Sequence, residues 1–116
     1  MNADPITIET VREIALKLPG VEDGLSYGAP ALKRNGNMFV RWREDLDAIV
    51  VKSTFDQRAE LMSELPDVYF ITDHYLNYPW VLVSLSAVTL DALSGIIRSA
   101  YDLAGLEKSR STKKTN

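Results

Sequence analysis

The sequence predicts an α+β fold: an antiparallel β-sheet covered by N-terminal, middle and C-terminal helices. Apolar residues recur at helical spacing in three segments, near the start, the middle and the end of the chain. Between these segments lie short strand-like runs, and Asn35-Gly36 joins two of them with the chemistry of a tight antiparallel turn. At 116 residues, the chain has the length of one domain. We therefore expect one domain over residues 1–106 and a disordered basic tail over residues 107–116.

The first and last helices have recognisable starts. The first is predicted over residues 8–18, with Thr7 as the N-cap that accepts a hydrogen bond from a free amide of the first turn. The last is predicted from Leu90 to Ala104, with Ser86 or Thr89 as its cap. Both apolar stripes are wide enough to cover a sheet.

The middle helix is predicted from a capping pattern. Thr54 and Gln57 have the spacing of a capping box, and the helix should run to about Leu65. The residues expected to face the core are Phe55, Ala59 and Met62, with Arg58, Leu61 and Leu65 on the adjacent stripe.

The predicted hairpin pairs Ala31 to Arg34 with Asn37 to Arg43 across a type I′ turn. A regular two-residue turn would set Leu32 opposite Phe39. One face would then carry Met38, Val40 and Trp42, and the other Phe39, Arg41 and Arg43.

Three further strands complete the predicted sheet. They are Ala48 to Lys52, Val68 to Ile71 and Val81 to Leu85. Residues 21–30 contain many turn formers, so within them only Leu25 to Tyr27 are expected to pair, and briefly.

Composition excludes several kinds of site and indicates a compartment. The chain has no cysteine, which excludes disulfides, zinc-thiolate sites, iron-sulfur clusters and cysteine nucleophiles. One histidine without cysteines gives no metal-ligand spacing, so we expect no metal and no cofactor. The N-terminus lacks the features of a signal peptide, and no apolar run approaches the length of a membrane span. A cytoplasmic location is therefore expected.

The charge of the chain is unevenly distributed. The whole sequence carries −3 and residues 107–116 carry +3, so residues 1–106 carry −6, because −3 minus +3 is −6. A body this acidic attracts a phosphate backbone only if its cations form a local basic face.

The first candidate site is the hairpin, whose basic residues would contact phosphates. These residues are Lys33, Arg34, Arg41 and Arg43. In the alternative interpretation, the arginine stems cover apolar surface and the guanidinium groups pair with Glu44, Asp45 or Asp47.

The second candidate site is the loop from Thr72 to Pro79 with the residues around it. It combines hydrogen-bonding groups with flat aromatic faces, and Lys52 would anchor an anion there. The candidate ligand-binding residues are Lys52, Asp73, His74, Tyr75, Asn77, Tyr78 and Trp80. In the alternative interpretation, Asp73 and His74 hold the loop through backbone hydrogen bonds, while its aromatic rings pack over a helix end.

Several segments, in this order and at this spacing, resemble the MmcQ/YjbR family of small bacterial proteins. They are Leu18-Pro19-Gly20-Val21-Glu22, Gly36-Asn37-Met38-Phe39, Val50-Val51-Lys52-Ser53-Thr54-Phe55-Asp56 and Thr72-Asp73-His74-Tyr75-Leu76-Asn77-Tyr78-Pro79-Trp80-Val81. The resemblance implies a double-wing α+β fold similar to that of the frataxin-like CyaY proteins, and members are commonly described as DNA-binding. Lys52, His74 and Trp80 match family positions, whereas Asn37 replaces a lysine that many members carry at the hairpin tip.

These observations favour a non-enzymatic binding protein, with DNA as the ligand that the resemblance implies. No paired carboxylates, nucleophile elbow or phosphate loop is found, so no catalytic residue is expected. One alternative is a small-molecule or peptide pocket under the loop from His74 to Trp80. Another is a protein-interaction module that uses a sheet edge or an aromatic patch.

Overall fold

The computed structural model describes residues 5–26 and 28–106 and has the predicted α+β architecture. Six antiparallel strands form one sheet in the order β1-β2-β3-β4-β6-β5. The strands are β1 (Val21–Ser26), β2 (Ala29–Arg34), β3 (Asn37–Arg43), β4 (Ala48–Lys52), β5 (Tyr69–Phe70) and β6 (Trp80–Ser84). The helices are α1 (Ile8–Leu16), α2 (Phe55–Glu64) and α3 (Leu90–Ala104), with short 3-10 turns at Glu44–Leu46 and Asp73–Tyr75. The predicted tail at 107–116 lies outside the described residues.

The predicted helix caps are confirmed. Thr7, Thr54 and Thr89 adopt extended backbone angles, and each accepts a hydrogen bond from an amide in the first turn of its helix. Gln57 does not complete a reciprocal box at α2, because its side chain instead donates to the Ser99 hydroxyl on α3 at 3.0 Å.

One face of the sheet packs on α1 and α3 and holds the main core. The buried residues of this core include Val11, Ala15, Val40, Ile49, Val51, Val81, Val83, Leu93, Ile97 and Ala100. Alternate strand residues point to opposite faces, so the neighbours of these valines in the strands point away from the helices.

The register of the hairpin differs from the predicted one because β3 contains a β-bulge. Asn35 and Gly36 both have positive φ, as a type I′ turn requires, and Lys33 pairs with Met38 as predicted. The register then shifts, so that Leu32 pairs with Val40, and Phe39 is the extra residue of β3.

The bulge also changes which residues share a face. Phe39 is fully buried on the helix side, with its ring edge-to-face against Tyr101 at 5.9 Å between centroids. Met38, and not Phe39, therefore accompanies Arg41 and Arg43 on the opposite face. The predicted faces were wrong because a regular hairpin was assumed, and one extra residue reverses the alternation on one side of it.

The prediction for residues 21–30 was partly wrong: Leu25 and Ser26 pair as expected, but the pairing extends well beyond them. Val21–Ser26 forms a six-residue edge strand that pairs with β2 along its whole length. The turn-forming residues are tolerated because an edge strand is paired on one side only.

The prediction for the core-facing stripe of α2 was partly wrong. Ala59 is exposed and Phe55 is half exposed, whereas the buried residue of the helix is Arg58. Leu61 and Met62 pack partly against the main core. The helix is thus rotated relative to the prediction, and the side chain that it buries is a cation.

The second face of the sheet points away from α1 and α3. A small cluster of Ala48, Val50, Tyr75 and Leu82 lies there, with Phe70, Ile71 and Trp80 packed around it. Tyr75 belongs to the loop between β5 and β6, which therefore folds over this face. Within the described ranges, no helix is both long and apolar enough to cross a membrane.

Candidate functional site

Strand register brings part of the first candidate site onto the same face of the sheet as the second. Arg41 on β3 pairs with Val50 on β4, and Val50 pairs with Leu82 on β6. Lys52 pairs with Trp80 on the same two strands, two residues further along β4. Paired residues share a face, so Arg41 and Arg43 stand on the same side as the aromatic loop, with β3 and β6 about 10 Å apart across two strand spacings.

Between them lies a cleft of about 760 Å³. It is lined by Ser26, Met38, Arg41, Arg43, His74, Tyr75, Tyr78 and Trp80. This volume lies within the usual range of small-molecule sites. The cleft therefore joins two arginines of the first candidate site to four aromatic residues of the second.

The arginines form one side of the cleft, and each is held by a defined partner. The Nε atom of Arg41 donates to the Ser26 carbonyl at 3.1 Å. Arg43 donates two hydrogen bonds to the Asp45 carboxylate, from Nε at 3.0 Å and from Nη2 at 2.8 Å. The alternative interpretation of the hairpin predicted such a pairing. This pairing raises the pKa of Arg43 and lowers the pKa of Asp45. A hydrogen bond with Tyr75 also raises the pKa of Arg43.

The aromatic loop forms the other side. The His74 ring meets the Tyr75 ring edge-to-face at 4.7 Å and lies 6.4 Å from the Tyr78 ring, tilted by 33°. Tyr75 is buried on the sheet, whereas His74 is exposed and Tyr78 is 57% exposed. The Lys52 ammonium lies 4.8 Å from the centre of the Trp80 ring. Exposed rings on a fixed support can stack on a flat ligand.

The support of this loop is Arg58, which sequence reasoning missed. Its Nη1 atom lies 2.9 Å from the Tyr75 carbonyl, 2.7 Å from that of Tyr78 and 3.2 Å from that of Trp80. Its Nη2 atom donates to the Leu76 carbonyl at 3.1 Å. The two N–H groups of Nη1 are thus shared among three carbonyls.

The burial of Arg58 makes this contact unusual. The residue is 9% exposed, and its recorded partners in the described part of the chain are backbone carbonyls and the Phe55 ring, 4.9 Å away. A buried cation is tolerated where acceptors replace its water, and here four carbonyl dipoles surround the two terminal nitrogens of the guanidinium group. The sequence signal was an arginine within the apolar repeat of α2, which indicates a cation that is buried with acceptors.

Four other candidate residues lie near the cleft without lining it. Lys33 shares the face of Met38, with its stem against Gly24 of β1. Lys52 adjoins the cleft through Trp80. Asp73 and Asn77 are exposed on the loop.

Arg34 lies on the helix side of the sheet, away from the other hairpin cations. Its guanidinium group stacks on the Tyr101 ring at 3.9 Å and donates to the Tyr101 carbonyl at 3.0 Å. This contact satisfies a carbonyl near the C-terminus of α3, where a positive charge is favourable. The structure therefore does not bring Arg34 together with Arg41 and Arg43.

The charges of the cleft differ from those of the chain. Of the eight described residues that line it, two are positively charged and none is negatively charged, although the whole chain carries −3. Within the described ranges, no group of three or more His, Asp or Glu residues is placed to hold a metal ion. The arrangement suits an anionic ligand with apolar surface.

Comparisons with known proteins place the chain in a family. A model of the YjbR family matches residues 16–103. The fold is similar to that of Deinococcus radiodurans protein DR2400, whose crystal structure contains the family-model domain DUF419. The TM-score is 0.74 and the sequence identity is 20%, and the match covers 96% of this chain and 86% of that one. No curated protein matches the sequence. The family model spans most of the chain, so the protein belongs to the YjbR family, as its loop and strand motifs predicted.

Proposed function

We propose that this protein is a non-enzymatic binding protein whose site is the cleft between β3 and the loop from Asp73 to Trp80, and that its ligand is a small organic anion. The observation that carries the proposal is the lining of the cleft, where Arg41 and Arg43 stand beside His74, Tyr78 and Trp80. Positive charge and apolar surface in one concavity match the two properties of an organic anion.

The geometry of His74 supports a binding role over a catalytic one. Its recorded contacts in the described part of the chain are the Tyr75 and Tyr78 rings. A general base normally has a partner that orients it and a position from which it reaches a reacting proton. An exposed histidine between two tyrosines has the contacts of a stacking residue.

DNA is a second candidate, favoured by the placement of Lys33 on the same sheet face as Arg41 and Arg43. Three observations make this face a weaker match for duplex DNA than for a small anion. Arg34 is turned to the helix side, Arg43 is paired with Asp45, and β1 places Glu22 opposite Lys33. A duplex binder needs several cations that are available to phosphates.

The experiment is a thermal-shift screen with small aliphatic and aromatic carboxylates and phosphates. Ligand at ten times its Kd adds about 1.4 kcal/mol of stability. In a domain of this size that corresponds to an increase in Tm of about 5 °C. We expect such shifts for anions but not for the corresponding neutral amides and alcohols.

Two variants locate the binding. Arg41→Gln should abolish the ligand-induced shift, because it removes a charge that lines the cleft. Arg98→Gln is the matched control, because Arg98 is exposed on α3 and paired with Asp102. The ligand-induced increase in Tm of this variant should equal that of the wild type. Equal shifts in all three proteins would refute the cleft as the site.

Duplex DNA is tested in parallel by a titration at two salt concentrations. We expect weak binding that disappears at the higher concentration. Tight binding that Arg41→Gln weakens, together with no shift by any small anion, would replace the proposed ligand with DNA.

A further inference from the structure

The two sides of the cleft have different chemistry, and the distance between them limits the ligand. Arg41 belongs to β3 and Trp80 to β6, with only β4 between them in the sheet. Two strand spacings, with an offset of two residues along β6, place their backbones about 12 Å apart, and both side chains line the cleft. The Arg41 side chain lies toward β1, where its Nε donates to the Ser26 carbonyl. A ligand that touches both sides is therefore small, and the separation between its acid group and the part that contacts the rings is limited by the width of the cleft.

The ring side is built for a flat partner. His74 and Tyr78 are exposed although they are aromatic, and their ring planes are within 33° of each other. Their backbone does not depend on a ligand for its shape, because Arg58 holds the carbonyls of Tyr75, Leu76 and Tyr78. Such fixed, exposed rings favour stacking, since little conformational entropy is lost on binding.

The floor of the cleft is apolar on the loop side. The buried Tyr75 packs on Ala48, Val50 and Leu82, and Met38 lines the cleft from β3. Methionine adapts its shape and makes favourable contacts with aromatic edges. A saturated chain would also fit this floor, but it would leave the faces of His74 and Tyr78 without a stacking partner.

We propose, on the basis of the function proposed above, that the ligand of this cleft is an aromatic anion. A planar ring stacks on the side formed by His74, Tyr78 and Trp80, and a carboxylate or phosphate of the same molecule binds Arg41. Aromatic carboxylates and nucleoside monophosphates share this chemistry. Duplex DNA does not, because its bases are stacked inside the helix, whereas single strands expose theirs.

Isothermal titration calorimetry with two matched pairs of probes tests the proposal. Naphthalene-2-carboxylate is compared with decahydronaphthalene-2-carboxylate, and AMP is compared with ribose 5-phosphate. Each pair keeps the acid group and changes the flat part. We expect the aromatic member of at least one pair to bind about tenfold more tightly, which is the scale of one stacked ring.

Variants at the ring side separate stacking from charge. Tyr78→Leu should remove most of the aromatic advantage and leave the affinity for the saturated probe unchanged, whereas Tyr78→Phe should retain the advantage. Because Tyr78 is 57% exposed, both variants should keep the Tm of the wild type. Arg41→Gln should weaken both members of a pair.

The outcomes separate this inference from the function on which it rests. Equal affinities within both pairs would overturn the aromatic preference and leave anion binding in place. No binding of any of the four probes at millimolar concentration would overturn both. If a single-stranded oligothymidylate bound far more tightly than AMP, the assignment to a small molecule would be overturned. The ring and the phosphate would then come from a single-stranded nucleic acid.

Discussion

Replacing Arg58 should both destabilise the protein and release the aromatic loop. In Arg58→Met, a side chain of similar length keeps much of the apolar packing but donates no hydrogen bond. Four carbonyls lose the hydrogen bond that Arg58 donates, those of Tyr75, Leu76, Tyr78 and Trp80. A hydrogen bond to a charged group contributes about 1.5–3 kcal/mol, which gives an upper limit of about 12 kcal/mol for four of them.

Two effects reduce this limit. Burying the guanidinium group has a desolvation cost that the methionine side chain of the variant would not have. Leu76 and Tyr78 are more than half exposed, so their carbonyls can regain water once the loop moves. We therefore expect a net loss of about 2–4 kcal/mol, a large fraction of the 5–15 kcal/mol that is typical of a domain.

Urea unfolding measures this loss, and hydrogen exchange shows where it acts. A loss of about 3 kcal/mol lowers the urea midpoint by about 1–3 M. The amide of Tyr78, which donates to the Tyr75 carbonyl at 3.1 Å, should exchange faster while the amides of β4 remain protected. Arg58→Lys should recover only part of the stability, because one ammonium group cannot reach all four carbonyls.

Arg98→Met is the matched control, because Arg98 is exposed and its ion pair with Asp102 lies at the surface. It should change stability by less than about 0.5 kcal/mol. If Arg58→Met were equally harmless and left the exchange of the Tyr78 amide unchanged, Arg58 would not be the support of the loop.

Three further changes have defined outcomes. Asp45→Asn should raise the affinity for small anions severalfold in calorimetry, because the fork of Arg43 loses its competing carboxylate; unchanged affinity would place Arg43 outside the site. Gly36→Ala should lower stability to urea by about 1–2 kcal/mol, since its φ of +87° is strained for alanine; an unchanged midpoint would contradict the turn geometry. Thr54→Ala should cost about 1 kcal/mol in the same assay through loss of the bond from the Gln57 amide, and Thr54→Ser should restore most of it.

Local signals in the sequence were sufficient for most of the fold. Capping threonines, the Asn35-Gly36 turn and the apolar stripe of α3 each depend on residues close together in the chain, so their physics is visible in the sequence. The edge strand β1 and the bulge at Phe39 depend on partners in other elements. Such tertiary effects can override a local preference, as they did at both places.

The site was harder to predict than the fold for the same reason. The hairpin arginines and the aromatic loop were each recognised from their composition, and they were treated as rivals. Only the sheet order, which sets β3 and β6 on either side of β4, places Arg41 and Trp80 at one cleft. The role of Arg58 required the same long-range information, because its four carbonyl partners follow it by 17 or more positions.

The most direct test of the cleft is NMR chemical-shift mapping of the full ¹⁵N-labelled chain with naphthalene-2-carboxylate. The account predicts that the largest changes fall on the amides of Arg41, Arg43 and residues 74–78 and on the amide and indole of Trp80. The signals of the α1 amides and of the Trp42 indole should not shift, because Trp42 packs on the helix side. Changes confined to the outer surface of α3 or to the β1 edge, or none at millimolar probe, would contradict the assignment of the cleft as the binding site.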